Sequence, residues 1–148
     1  MFRKLIISLN WVIGTFALVA ALSSGFLQNT RGVAAHKLAI EHQVEEIARL
    51  QNGKRNLGGY VPFSRKNGDM EKRLGSAVGT KDYQFEAFFE EDGTGGRNFV
   101  IRAMTSDQAI RDGRVPPLIY KYVLPEDGSE PRKRWVALSS KSYGLNIF

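Results

Sequence analysis

Between Leu5 and Leu27 the chain reads LIISLNWVIGTFALVAALSSGFL, without one charged side chain. Arg3 and Lys4 stand before this run, and Arg31 and Lys37 follow it. About 23 residues of α-helix rise about 34 Å, enough to cross a hydrocarbon core of roughly 30 Å. A single-pass anchor is therefore the first reading. A cleaved secretory signal is the second: Arg3 and Lys4 form its basic start, Leu5 to Leu22 its apolar core, and Ala21-Leu22-Ser23 a small-x-small cleavage site. A buried core helix is disfavoured, because a chain of 148 residues has little else to surround one. Within the run Asn10 is the odd residue. In lipid its amide needs a partner, either on a neighbouring helix or among the headgroups beside Trp11. Asn10, Gly14 and Thr15 are the candidates for helix–helix contact, since small and polar side chains let backbones approach.

Without the anchor about 120 residues remain, enough for one domain with a modest core. Residues 1–32 then form the anchor (or signal) and a polar collar, and residues 33–148 an extracytoplasmic domain. Lys and Arg number 21 against 15 acids, a net charge of +6. The excess is spread thinly. Its densest run, Arg132-Lys133-Arg134, follows Glu126, Asp127 and Glu130 and reads as a solvated turn rather than a phosphate-binding face. No nucleic-acid partner is expected. Cysteine is absent, which excludes disulfides, metal–thiolate sites and a cysteine nucleophile. Basic residues crowd the amino-terminal flank, whereas Glu41, Glu45 and Glu46 soon dilute those beyond the run. That bias places the amino terminus in the cytoplasm and the domain in the periplasm or outside the cell.

After the collar, VAAHKLAIEHQVEEIARLQ predicts a helix over 33–51. Ile40, Val44, Ile47 and Leu50 or Gln51 recur at three and four, opposite Glu41, Glu45, Glu46 and Arg49. Asn52-Gly53 is expected to cap it. Residues 53–81 form a glycine-rich connection. Within it DMEKRL, from Asp69 to Leu74, suits a turn or two of helix with Asp69 as N-cap. Strands fill 82–139. DYQFEAFFE alternates Tyr83, Phe85, Ala87 and Phe89 against Gln84, Glu86, Phe88 and Glu90. Asp92-Gly93-Thr94-Gly95-Gly96 then turns the chain into NFVIRAMT. Ser106 to Pro117 crosses over, with a helical turn expected around Asp107 to Ile110. LIYKYVL and RWVALS supply two further strands, from Leu118 and from Arg134, and the tail KSYGLNIF has the length for a short edge. The expected class is α+β: a long amino-terminal transmembrane and amphipathic helix packed on a roughly four-stranded antiparallel sheet. Ile40, Val44 and Ile47 are expected to pack on Phe85, Phe99 and Tyr120.

The order of VAAHKLAIEHQVEEIARLQ, LGGYVPF, DYQFEAFF, NFVIRAMT and RWVALS resembles a type IV pilin or pseudopilin along nearly the whole chain. The likeness lies in order and spacing, not in a specific motif. It implies a helix whose first half sits in a membrane or filament core and whose second half packs on an antiparallel sheet. The chain differs from that family's pattern in two places: no glycine precedes the apolar run, and the run holds no glutamate.

No catalytic signature emerges. His36 and His42 point to different sides of a helix and make no metal pair. Glu90-Glu91-Asp92 lacks the spaced ligands of a calcium loop and reads as a solvated strand end. Tyr120, Tyr122 and Trp135 read as core before they read as a binding platform. Neither a metal nor an organic cofactor is expected. Three functions remain open: a non-enzymatic structural subunit of an envelope filament or secretion apparatus, a bitopic accessory subunit of a larger membrane complex, and a secreted binding domain or hydrolase released near Ser23. The partners implied by the first two are the lipid bilayer and other protein subunits met through the amino-terminal helix, self-assembly included.

Overall fold

The computed structural model describes residues 32–136, apart from 77, 79 and 80. The chain divides into two compact units between Ala35 and His36. Helix α1 covers residues 32–55. Its stripe at three- and four-residue spacing is fully buried: Ile40, Val44, Ile47 and Gln51 each have no accessible surface. Leu38, His42, Glu45 and Arg49 occupy the opposite side and are exposed. The helix does not stop at Asn52-Gly53. Gly53 keeps helical geometry rather than a left-handed cap, and the helix runs one more turn. It ends in tightened turns, with the Leu57 amide donating to the Lys54 carbonyl at 2.9 Å.

Four strands follow: β1 (Tyr83–Glu91), β2 (Arg97–Thr105), β3 (Ile119–Pro125) and β4 (Arg132–Trp135). They form one antiparallel sheet in the order β1-β2-β3-β4, each strand pairing with its sequence neighbour. In the turn between β1 and β2, Asp92 Oδ1 accepts from the Thr94 amide, the Thr94 hydroxyl and the Gly96 amide at 2.7–2.9 Å. Gly93 and Gly95 take positive φ of 80° and 91° there, a region that non-glycine residues avoid. The protein is thus α+β with a four-stranded antiparallel sheet.

Register decides the two faces. Phe85 stands opposite Ala103, which stands opposite Tyr120, which stands opposite Trp135. Directly opposed residues share a face, so these lie together with Tyr83, Phe99, Ile101 and Tyr122. Hydrogen bonds to Tyr83 and Trp135 bring α1 onto this face. Phe85, Phe99 and Tyr120 keep 5%, 1% and 2% of their surface. Burial of this kind contributes roughly 1.5–3 kcal/mol per large apolar side chain before entropy. Met104, Val100 and Val123 line the second face together with Glu86, Arg102 and Lys121. Its buried apolar centre is therefore crossed by charges.

Two local elements differ from expectation. The short helix α2 spans Asp69–Leu74, but its N-cap is Gly68 at φ 79°, and Asp69 is the first helical residue. The Asp69 carboxylate turns back to accept from the Ser64 amide and hydroxyl at 2.7 and 2.8 Å, so it is not free to cap. The run Arg132-Lys133-Arg134 is not a turn. It forms most of β4, an exposed edge strand, where basic side chains on a sheet margin stay solvated. A third short helix, α3 (Asp107–Arg111), is capped by Ser106, whose hydroxyl accepts from the Ala109 amide at 3.2 Å.

Candidate functional site

The seam between α1 and the sheet holds a row of polar contacts. At one end the His36 Nδ1 and the Tyr83 hydroxyl lie 2.6 Å apart, and burial pushes the Tyr83 phenol up from its ordinary value. In the middle the Trp135 indole N–H donates to Glu41 at 2.9 Å, and Lys37 stands over the Trp135 ring at 5.1 Å. One turn along α1, Lys133 Nζ donates to Glu45 at 2.6 Å, which raises the lysine's pKa. Tyr120 lies beneath this layer, its ring 4.7 Å from that of Trp135. Burial, and then the Glu41 carboxylate, push its phenol up to about 12. Tyr120 and Tyr122 are buried, so they serve as core here rather than as an open platform.

The far end of α1 is held by an amide acting as a strand. Gln51 Nε2 donates to the Val61 carbonyl at 2.7 Å, and the Val61 amide donates to Gln51 Oε1 at 2.8 Å. Two residues on, Phe63 exchanges both backbone hydrogen bonds with Ala87 of β1. A ladder continued from that bridge would next pair Val61 with Phe89. Gln51 takes both of Val61's groups instead and lifts the chain off the β1 margin. Tyr60 then stacks on Phe99 with centroids 4.7 Å apart.

On the second face Glu86 is shared by Arg102 and Arg65, and Lys121 reaches Glu90 at 3.0 Å. A shallow groove of about 560 Å³ lies between the β1–β2 and β3–β4 turns, lined by Asp92, Arg97, Asn98, Asp127 and Arg132 among others. Two of its carboxylates are already engaged. Asp92 and Asp127 accept from Thr94 and Ser129, and these hydrogen bonds hold both below the usual carboxylate range. Among the described residues no group of three or more His, Asp or Glu side chains is placed to hold a metal ion.

Of the residues singled out from sequence, Ile40, Val44, Ile47, Phe85, Phe99 and Tyr120 are all buried. Asn10, Gly14 and Thr15 lie outside the described residues, as does the whole run from Leu5 to Leu27. Among the described residues no helix is long and apolar enough to cross a membrane. Sequence reasoning missed the roles of Gln51, Glu41, Glu45 and Trp135. The signal for Gln51 was its place on the buried stripe of α1, where a polar residue demands a partner. No protein-family model, curated protein or solved structure matches this chain.

Proposed function

We propose that this chain is a non-enzymatic, membrane-anchored structural subunit, pilin-like in plan, of an envelope filament or secretion apparatus. The observation that carries the reading is the division of labour along one amino-terminal stretch. Leu5–Leu27 carries no charged side chain, whereas α1 beyond His36 has one buried stripe on a meander sheet. A predominantly apolar helix needs lipid or other helices around it, and a one-sided helix needs only the sheet. The amino terminus lies in the cytoplasm, and the domain lies in the periplasm or outside the cell. Asn10, Gly14 and Thr15 meet neighbouring subunits within the bilayer, where small residues permit close approach.

Fractionation of cells expressing the full chain, with sequencing of the product's amino terminus, tests the anchor. An intact start in the membrane fraction is expected; a soluble product beginning near Ser24 would falsify the reading. Assembly is tested by Gly14→Leu, which adds bulk at the contact. Oligomers recovered from wild-type membranes are expected to be lost in the variant. Unchanged oligomers would remove Gly14 from the contact.

A further inference from the structure

The sheet has two margins of opposite charge. The far half of β1 reads Phe89-Glu90-Glu91, continued by Asp92, and β4 reads Arg132-Lys133-Arg134-Trp135. Main-chain geometry shows which groups face outward. Ala87 bonds to Phe63 outside the sheet, so by the two-residue period Phe89 and Glu91 also point their N–H and C=O groups outward. The Val136 amide bonds inward to the Ile119 carbonyl, so Arg134 and Arg132 face β3, and Lys133 and Trp135 face outward. These outward groups have no backbone partner among the described residues. Phe89 is 37% exposed, because Gln51 draws Val61 away from it.

We infer that β4 of one copy pairs with the end of β1 of the next, extending the sheet from copy to copy. Strand direction alternates across the sheet, so simple side-by-side placement of two copies makes this junction antiparallel. The outward groups then admit one register using all four residues. Lys133 bonds to Glu91 of the next copy and Trp135 to its Phe89, which sets Arg134 opposite Glu90 and Arg132 opposite Asp92. Every opposed pair is an opposite charge or two aromatic rings, the combinations that stabilise cross-strand neighbours. The faces agree as well. Phe89 and Trp135 both lie on the α1 side of their sheets, and Glu90 and Arg134 both lie on the other. Acceptor and donor margins sit on opposite sides of one chain, so the contact is heterologous and continues from copy to copy, with every α1 on the same side. Edge pairing this short is weak alone. The inference rests on the subunit reading above, because a shared membrane supplies the local concentration that holds copies together.

The chain has no cysteine, so introduced thiols report without background. Opposed residues of a non-hydrogen-bonded antiparallel pair have Cα atoms about 4.5 Å apart, within disulfide reach. In the inferred register Glu90 and Arg134 form such a pair. Full-length Glu90→Cys and Arg134→Cys chains are co-expressed, and the isolated fractions are oxidised. A cross-linked dimer is expected from the mixture and from neither variant alone, and a ladder of multimers from the chain carrying both. Adding Glu91→Lys to the first chain should abolish the dimer, and Lys133→Glu in the second should restore it. The fraction holding the chain is scored separately, and a soluble product is oxidised in the same way, so loss of anchoring is distinguished from loss of edge pairing. Absence of the mixed dimer, or a dimer indifferent to both charge changes, overturns the inference. So does a dimer that forms only after residues 137–148 are removed, which would assign the β4 margin to the chain's own tail.

Discussion

Replacing Gln51 with Leu tests how far one side chain holds α1 to the rest of the fold. Gln51 is fully buried, and its amide makes a donor and an acceptor contact with Val61 at 2.7 and 2.8 Å. Each such hydrogen bond contributes about 1 kcal/mol net, and a polar group left unpaired costs a further ~1–3 kcal/mol when water cannot reach it. Val61 is only half-buried, so water recovers part of that penalty. The leucine gains some apolar burial in return. The balance is a loss of about 2 kcal/mol. For a domain of this size that lowers Tm by roughly 8 °C. Thermal unfolding of the full-length chain in detergent, followed by near-ultraviolet circular dichroism of its aromatic core, measures the shift. Hydrogen exchange at the Val61 amide should accelerate in parallel. A Tm within about 2 °C of wild type would refute the argument, since the two contacts would then have no net value. Slow exchange newly appearing at Phe89 would show the freed segment zipping onto β1.

Two further predictions concern pH. Hydrogen bonds from Ser64, then the Arg73 guanidinium, lower Asp69 to about 2, so its contribution is present above its unfolded pKa and is lost as acid approaches pH 2. Asp69→Asn should therefore flatten the acid limb of a stability–pH curve, and an unaltered limb would show that Asp69 is not linked to folding. Tyr120, raised to about 12 chiefly by burial, contributes stability that is present below about pH 10 and lost towards pH 12. Tyr120→Phe should leave stability at pH 7 within about 1 kcal/mol and flatten the alkaline limb, as read by denaturant titration across that range.

The β1–β2 hairpin was legible because its signals agree: strict alternation on each side of Asp92-Gly93-Thr94-Gly95-Gly96. The buried stripe of α1 was legible for the same reason, with Ile40, Val44 and Ile47 repeating at helical spacing. Strand β4 was legible only in part. RWVALS marked a fourth strand from Arg134, but the strand begins at Arg132; its first residues are basic, so no hydrophobic alternation marks them, and pairing with β3 makes them strand. The end of α1 was misplaced because Gly53 has two uses, as a left-handed cap or as an ordinary helical residue on an exposed turn. The added turn lets Arg55 Nη2 donate to the Glu126 carbonyl at 3.2 Å. The Asp69 carboxylate illustrates a third limit. Its partner, Ser64, is local in sequence, but nothing in the residue types distinguishes capping the helix from holding the loop before it. Of the candidate site, the helix–sheet core residues were readable from periodicity. The ion pair between Lys133 and Glu45 was not, since 88 residues separate them.

The strand order has a kinetic consequence. Each strand pairs with its neighbour in sequence, so the sheet can form by successive local closures, each with a modest loop-entropy cost. The contacts of α1 are of another kind. His36 and Tyr83 are 47 residues apart, and Glu41 and Trp135 are 94 apart. These raise the contact order of an otherwise local fold, and high contact order slows folding. A chain emerging from its amino terminus would hold α1 with its stripe uncovered until the last strand is complete. The interval before Trp135 reaches Glu41 is therefore when that stripe is most open to a chaperone or to another chain.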